Sequence, residues 1–230
     1  MDAANDTPLL LLPGMDGTGI LLHPLAKILR AHHPVQVIAY PDTKVLGYDD
    51  LTTLVLDNAP KGRFVILGES FSGPIAIEVA ARERRVAGLI LASSFARHPM
   101  PALFAPLAQI LDLKWIPKTI IEAALLGSRA QPDVKECLGK VLATLPREII
   151  RARVSEALRV DKRSRLRTIT CPLLCLHGRS DRLVGRKCLD EIVSSHPNAE
   201  VQIFDAPHML LETRMSEAAE AITLFCNRLN

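Results

Sequence analysis

Ser70 has small residues two positions away on either side, Gly68 and Ser72, in the run Gly68-Glu69-Ser70-Phe71-Ser72-Gly73. The apolar run Phe64-Val65-Ile66-Leu67 precedes it and an alanine-rich stretch, residues 74–81, follows. The run reads as a strand and the stretch as a helix. A strand that turns sharply into a helix can hold a serine hydroxyl above a sheet edge. The backbone at that serine is strained, so the residues two positions away must be small. The amides that open the helix then point into the same space. Ser72 stands where a second glycine is usual, and serine is small enough to be tolerated there. Taken alone, the segment also admits the less favoured reading of a plain strand-to-helix connection.

A serine hydroxyl is a poor nucleophile near neutral pH and needs a histidine base, itself oriented by a carboxylate. Both partners must sit at the same end of the sheet, just after strands. Asp181 qualifies, following Leu173-Leu174-Cys175-Leu176 in the run His177-Gly178-Arg179-Ser180-Asp181. His208 qualifies after the last apolar run, in Asp205-Ala206-Pro207-His208. Asp181 also fits a helix N-cap, and His208 an ordinary loop histidine. Their order along the chain, Ser then Asp then His, is the one expected for this turn type. His23, His32, His33, His98 and His196 fit worse, and His177 reads as structural.

Attack on a carbonyl carbon creates an oxyanion that two preorganised N–H groups must hold. The amide of Phe71, directly after the serine, is one candidate. The second is expected from the loop after the first strand, Leu12-Pro13-Gly14-Met15-Asp16-Gly17-Thr18-Gly19. Gly14 is expected to let the chain turn there, which makes the amide of Met15 the best donor. The same loop, with Asp42 further on, superficially suggests dinucleotide binding. Its glycines are spaced in the reverse of that fingerprint, and Ser70, Asp181 and His208 would be left without a role.

The elements that must position these groups alternate in the first half of the chain. Strands are expected over 8–12, 35–40, 64–67 and 86–92, with helices over 19–30, 48–58 and 74–84. Aliphatic runs without polar alternation are what strands covered on both faces look like, and strand–helix alternation implies a parallel sheet. Between residues 99 and 168 no strand pattern appears. Four helical segments, over 100–111, 118–126, 131–145 and 147–160, read as a helical lid. Alternation resumes with strands over 172–176 and 201–204 and helices over 183–194 and 211–228. Residues 1–98 and 169–230 are thus assigned to an α/β core and 99–168 to the lid.

At 230 residues and 48% hydrophobic the chain is long and apolar enough for one sizeable domain. A net charge of +3 with six Phe, two Tyr and one Trp gives no nucleic-acid footprint. Five cysteines at 137, 171, 175, 188 and 226 show no Cys-x-x-Cys pair. They read as reduced thiols, with Cys171 and Cys175 on one strand too far apart to bridge. The first six residues lack the basic-then-apolar pattern of an export signal, no apolar run reaches spanning length, and the expected location is cytoplasmic. No cofactor or metal set is implied.

On these three motifs the chain resembles the α/β-hydrolase superfamily across nearly its whole length. The likeness implies Ser70 as nucleophile, Asp181 as acid, His208 as base and an oxyanion hole from Met15 and Phe71. It implies a six-stranded parallel sheet in the order 2-1-3-4-5-6, because the oxyanion strand begins by residue 8 and two strands of the full fold are missing. Pro13-Gly14 stands where many members have His-Gly. The compact size and lid are similar to small bacterial carboxylesterases, including the methyl esterase acting on carrier-bound pimelate. The residue 13–19 loop is similar to that of plant phytyl-ester-forming acyltransferases.

The function expected first is hydrolysis of a small carboxylic ester through an acyl-enzyme. Thioester hydrolysis, or acyl transfer from an acyl carrier or CoA, uses the same apparatus. A non-catalytic ligand receptor on the same fold is a third class. The lid residues Leu103, Phe104, Leu107, Ile110 and Leu111 suit an acyl pocket or ordinary helix packing. Over residues 147–167 eight basic residues meet three acidic ones, which suits docking of an acyl-carrier protein or CoA phosphates as well as a solvated helix face.

Overall fold

The computed structural model describes residues 7–100, 117–127 and 130–229. All six strands lie parallel in one sheet: β1 (Leu9–Leu12), β2 (Val35–Val37), β3 (Phe64–Glu69), β4 (Val86–Ala92), β5 (Leu173–Gly178) and β6 (Glu200–Phe204). Their spatial order is β2-β1-β3-β4-β5-β6, as expected from the sequence. Register places Leu12 beside Gly68 and Glu69 beside Ala92, so β1, β3 and β4 end at one level.

The strands form because successive residues bury opposite faces. Leu10, Leu12, Phe64 and Ile66 enter one core with α2 (Tyr48–Asn58) and α3 (Gly73–Arg82). Leu9, Leu11, Val65 and Leu67 enter the other, with α1 (His23–Leu29). The four leucines of β1 are fully buried. Cutting any one to alanine would cost about 2–5 kcal/mol. The edge strand β6 is largely exposed except at Phe204.

Between β4 and β5 come α4 (Lys118–Leu126), α5 (Pro132–Thr144), α6 (Arg147–Ala157) and the short α7 (Arg163–Leu166). Leu126, Leu138, Val141 and Leu145 form a third apolar cluster with Leu21 and Met209. All but the first residue of the helix expected over 100–111, and with it the proposed acyl-pocket leucines and phenylalanine, lie outside the described residues. The last elements are α8 (Arg186–Ser195), α9 (Leu210–Thr213) and α10 (Met215–Asn227).

Several boundaries differ from expectation: the strand expected over 35–40 ends at Val37, and the helix expected over 183–194 runs Arg186–Ser195. The single C-terminal helix is broken at Arg214, the residue between α9 and α10. The first helix opens with a 3-10 turn, Ile20–Leu22. Cys171 precedes β5 instead of sharing it with Cys175. The five cysteines form no disulfide among the described residues. No helix among those residues is long and apolar enough to cross a membrane.

Glu78 of α3 collects cations from across the fold. Arg82 lies one turn on, while Lys162 and Arg165 arrive at 3.1 and 2.7 Å from the chain that leads into β5. Although burial raises it, hydrogen bonds from Arg165, Lys162 and Arg82 hold the Glu78 carboxyl down at about 2, from an ordinary 4.5. A lowered folded-state value contributes stability above pH 4.5 that is lost as pH falls toward 2. Arg82 and Arg165 are partly exposed and water screens them, so about 1–2 kcal/mol is the expected scale. Glu78→Gln is predicted to be less stable than wild type by that amount at pH 7, with the gap closing toward pH 2 in urea unfolding. Parallel curves would show that the carboxylate charge is idle.

Candidate active site

Ser70 lies where β3 ends and a 3-10 turn, Ser70–Ser72, leads into α3. Its φ of 46° is one of two positive values at non-glycine residues among the described residues. The strain is held by small neighbours: a Cβ on Gly68 would lie 2.7 Å from the Ser72 carbonyl oxygen and 2.8 Å from Ala76. Ser94, after β4, donates a 2.6 Å hydrogen bond to the Ser70 carbonyl.

The three residues singled out in the sequence meet. Ser70 Oγ is 2.9 Å from His208 Nε2, and His208 Nδ1 is 2.8 Å from Asp181 Oδ2. His208 is 6% exposed and the Asp181 side chain not at all. With Nδ1–H donating to the carboxylate, Nε2 presents its lone pair to the serine hydroxyl. The other oxygen, Asp181 Oδ1, accepts the amides of Leu183 and Val184, each at 2.9 Å. The capping reading of Asp181 therefore holds as well, for a turn that precedes α8. The Arg179 and Ser180 amides donate to the carbonyls of Phe204 and Ala206, lacing the acid's loop to the histidine's. His177 is buried beside them, and desolvation pushes its imidazole down, toward the neutral form.

Phe71 directly follows Ser70, and Met15 lies in the loop after β1, where its carbonyl accepts from Arg153. The Phe71 amide lies in the first turn of the 3-10 segment, where helical N–H groups have no intrahelical acceptor. In the loop after β1, the hydrogen-bonded amides are those of Gly14, to Glu69, of Gly17, to Gly14, and of Thr18, to Asp16; Met15 stands apart from them. The turn expected at Gly14 opens there, with the Gly17 amide donating to the Gly14 carbonyl at 3.1 Å, and the left-handed backbone falls at Gly17, φ 72°, and Gly19, φ 73°. What distinguishes Gly14 is its amide, 3.2 Å from Glu69 Oε2.

Ser72, the departure from glycine, donates to the Pro13 carbonyl and shares a 2.6 Å hydrogen bond with the Tyr40 hydroxyl. It thereby ties the serine turn to the loop after β1. The eight basic residues of 147–167 are largely engaged within the molecule. Arg153 is buried, Lys162 and Arg165 bind Glu78, and Arg163 pairs with Asp161 at 2.7 Å. Arg151, Arg159 and Arg167 face outward. No cluster able to hold a metal ion is present among the described residues.

The family model described as "Alpha/beta hydrolase family" matches residues 9–221. The chain belongs to that family. A curated relative, phytyl ester synthase 1 of Arabidopsis thaliana (chloroplastic), is 34% identical over 120 residues, 47% of this chain. That stretch is 16% of the relative's own length. Among solved structures, the enol-lactonase from Burkholderia xenovorans LB400 superposes with TM-score 0.87 at 18% identity, covering 99% of this chain and 94% of that one. A thermophilic esterase from Thermogutta terrifontis gives 0.78 at 23% identity, with 97% and 90% covered. At these identities the structures share the fold.

Sequence reasoning missed a buried carboxyl pair, although its signal was present: Glu69 interrupts a buried strand and Glu212 an apolar run. Burial pushes both carboxyls up, Glu212 to about 7 and Glu69 well above the ordinary range, helped by repulsion from Glu212. Neither Glu212 oxygen has a hydrogen-bond partner among the described residues, so its burial is uncompensated. The folded state thus keeps protons that the unfolded chain releases at about 4.5, so stability falls as pH rises from there through 7. One retained proton corresponds to about 1.4 kcal/mol per pH unit at most. Glu212→Gln is predicted to gain stability relative to wild type as pH rises from 5 to 8, read from urea midpoints. A constant difference over that range would contradict a neutral buried pair.

Proposed function

We propose that this protein is a serine hydrolase that cleaves a carboxylic ester through an acyl-enzyme, with Ser70, His208 and Asp181 as its triad. The unbroken hydrogen-bonded chain from Ser70 Oγ through His208 to Asp181 supports this reading most. As Ser70 Oγ bonds to the carbonyl carbon, its proton passes to His208 Nε2. Asp181 holds the ring orientation and stabilises the imidazolium. The carbonyl oxygen becomes an oxyanion facing the amides of Phe71 and Met15. The carbon–oxygen bond to the leaving alcohol then breaks, and the Nε2 proton goes to that alcohol. Water next gives a proton to Nε2 and attacks the acyl carbon; collapse releases the acid and returns the proton to Ser70.

Residues 99–168 are read as a lid over this centre. The Met209 amide, next to the base, donates 2.9 Å to the Leu125 carbonyl at the end of α4, and Met209 packs into the α4–α5 cluster. Such apolar walls suit an acyl chain.

Ser70→Ala is expected to lower kcat on p-nitrophenyl butyrate by about 10⁴-fold or more and to abolish labelling by a fluorophosphonate. Undiminished activity in that variant would overturn the mechanism. Labelling of wild type without turnover on any ester or thioester would favour a receptor.

Acyl transfer is the second reading, favoured by the aligned stretch in a protein named an ester synthase. An alcohol would then take the place of water at the acyl carbon. The outward-facing Arg151, Arg159 and Arg167 would meet an acyl-carrier protein or CoA phosphates. With acyl-CoA and a long-chain alcohol both supplied, transfer predicts ester as the main product and a several-fold higher KM in Arg151→Glu/Arg159→Glu. Free acid as the only product, at unchanged KM, would leave hydrolysis as the function.

A further inference from the structure

The loop after β1 and the serine turn are gripped by one helix of the segment between β4 and β5. Arg153 of α6 is 2% exposed. Its Nη1 donates to the carbonyls of Met15 at 2.9 Å and Asp16 at 2.6 Å, and its Nη2 to Pro41 at 3.2 Å. The guanidinium also lies 5.7 Å from the centre of the Tyr40 ring, the residue whose hydroxyl reaches Ser72. Gly17 is shaped to it: a Cβ there would lie 2.4 Å from Nη1. One turn on, Glu156 Oε2 accepts the Tyr48 amide at 2.9 Å. Tyr48 in turn stacks on Phe71 with ring centres 4.8 Å apart and donates its hydroxyl to the Phe71 carbonyl at 3.1 Å.

We propose that Arg153 is a positioning residue for the oxyanion hole, through which α6 sets the catalytic competence of the site. The proposal rests on the serine-hydrolase reading above. The Met15 amide sits between two anchored groups, the Gly14 amide bound to Glu69 and the Met15 carbonyl bound to Arg153. A charge-assisted bond fixes the second of these peptide planes more firmly than a neutral donor would. Glu156 acts on the other donor, through Tyr48 and Phe71. Both oxyanion amides therefore take their positions from one helix. Displacing a donor by a fraction of an ångström weakens transition-state stabilisation while leaving ground-state binding almost untouched.

The test compares wild type, Arg153→Lys, Arg153→Met and Ser70→Ala on p-nitrophenyl butyrate. Arg153→Met is expected to lower kcat about 10- to 100-fold with KM within about threefold, a fraction of the cost of deleting a donor. Inhibition by an alkyl trifluoromethyl ketone, whose adduct carries an oxyanion, should weaken in parallel, while the unreactive methyl ketone binds as before. Arg153→Lys keeps the charge but loses the fork and should fall between. A folded Arg153→Lys, or Arg153→Met, with wild-type kcat and wild-type trifluoromethyl-ketone affinity overturns the proposal, whatever happens to Tm. Should Arg153→Met fail to fold, Arg153→Lys decides alone. Wild-type activity that survives in Ser70→Ala overturns the hydrolase reading itself, a result distinct from an Arg153 variant that keeps its kcat.

Discussion

A serine backbone held at φ 46° at the end of a parallel strand is the constraint to which the rest of this molecule answers. That conformation costs on the order of 1–3 kcal/mol and persists only if its surroundings determine it. Here they do so from three directions. The buried strand β3 delivers the chain, α3 carries it away past Gly68 and Ala76, and the Ser94 hydroxyl fixes the serine carbonyl from β4. Parallel β1, β3 and β4 are central in the sheet and covered on both sides. The strain therefore sits on the most rigid platform the fold offers, and the hydroxyl has one direction in which to point.

Platform and partners are joined by backbone as much as by side chain. Asp181 and His208 stand on separate loops after β5 and β6, yet the amides of residues 179 and 180 bind carbonyls of residues 204 and 206. These backbone bonds hold the two loops side by side, within reach of the 2.8 Å contact between carboxylate and imidazole. With one carboxylate oxygen occupied by two amides, the other is left for the histidine alone. Three donors thus hold the Asp181 carboxyl group in one orientation.

The sheet was legible in the sequence because buried parallel strands announce themselves as aliphatic runs. Residues 48–58, 86–92 and 118–126 were bounded as the structure has them. Ser70, Asp181 and His208 were legible because topology forces the ends of parallel strands to one rim. What stayed hidden depends on contacts across long stretches of chain. Arg153 is written within a run of cations, and only its spacing of four from Ile149 and Ala157 puts it on the buried face of α6. Its acceptors are 112 to 138 residues away. Gly14 and Gly17 look alike in a glycine-rich loop until the guanidinium that occupies the space over Gly17 is known. The break at Arg214 is similarly invisible, since the apolar pattern continues through it.

The concentration of polar groups beneath the loop after β1 has a physical cost, as the burial of Glu78 on α3 does. Glu69, Glu212, Tyr40, Ser72 and Arg153 are all buried there. Desolvation works against each of them, raising the carboxyls and the Tyr40 phenol and lowering the guanidinium. Apolar residues of the same volume would stabilise the fold more. They could not, however, fix the orientation of a peptide plane, because dispersion contacts have little directional preference. Hydrogen bonds to the Gly14 amide and to the carbonyls of residues 13, 15 and 16 do have that preference. Some stability is thereby exchanged for a fixed backbone direction in the loop after β1.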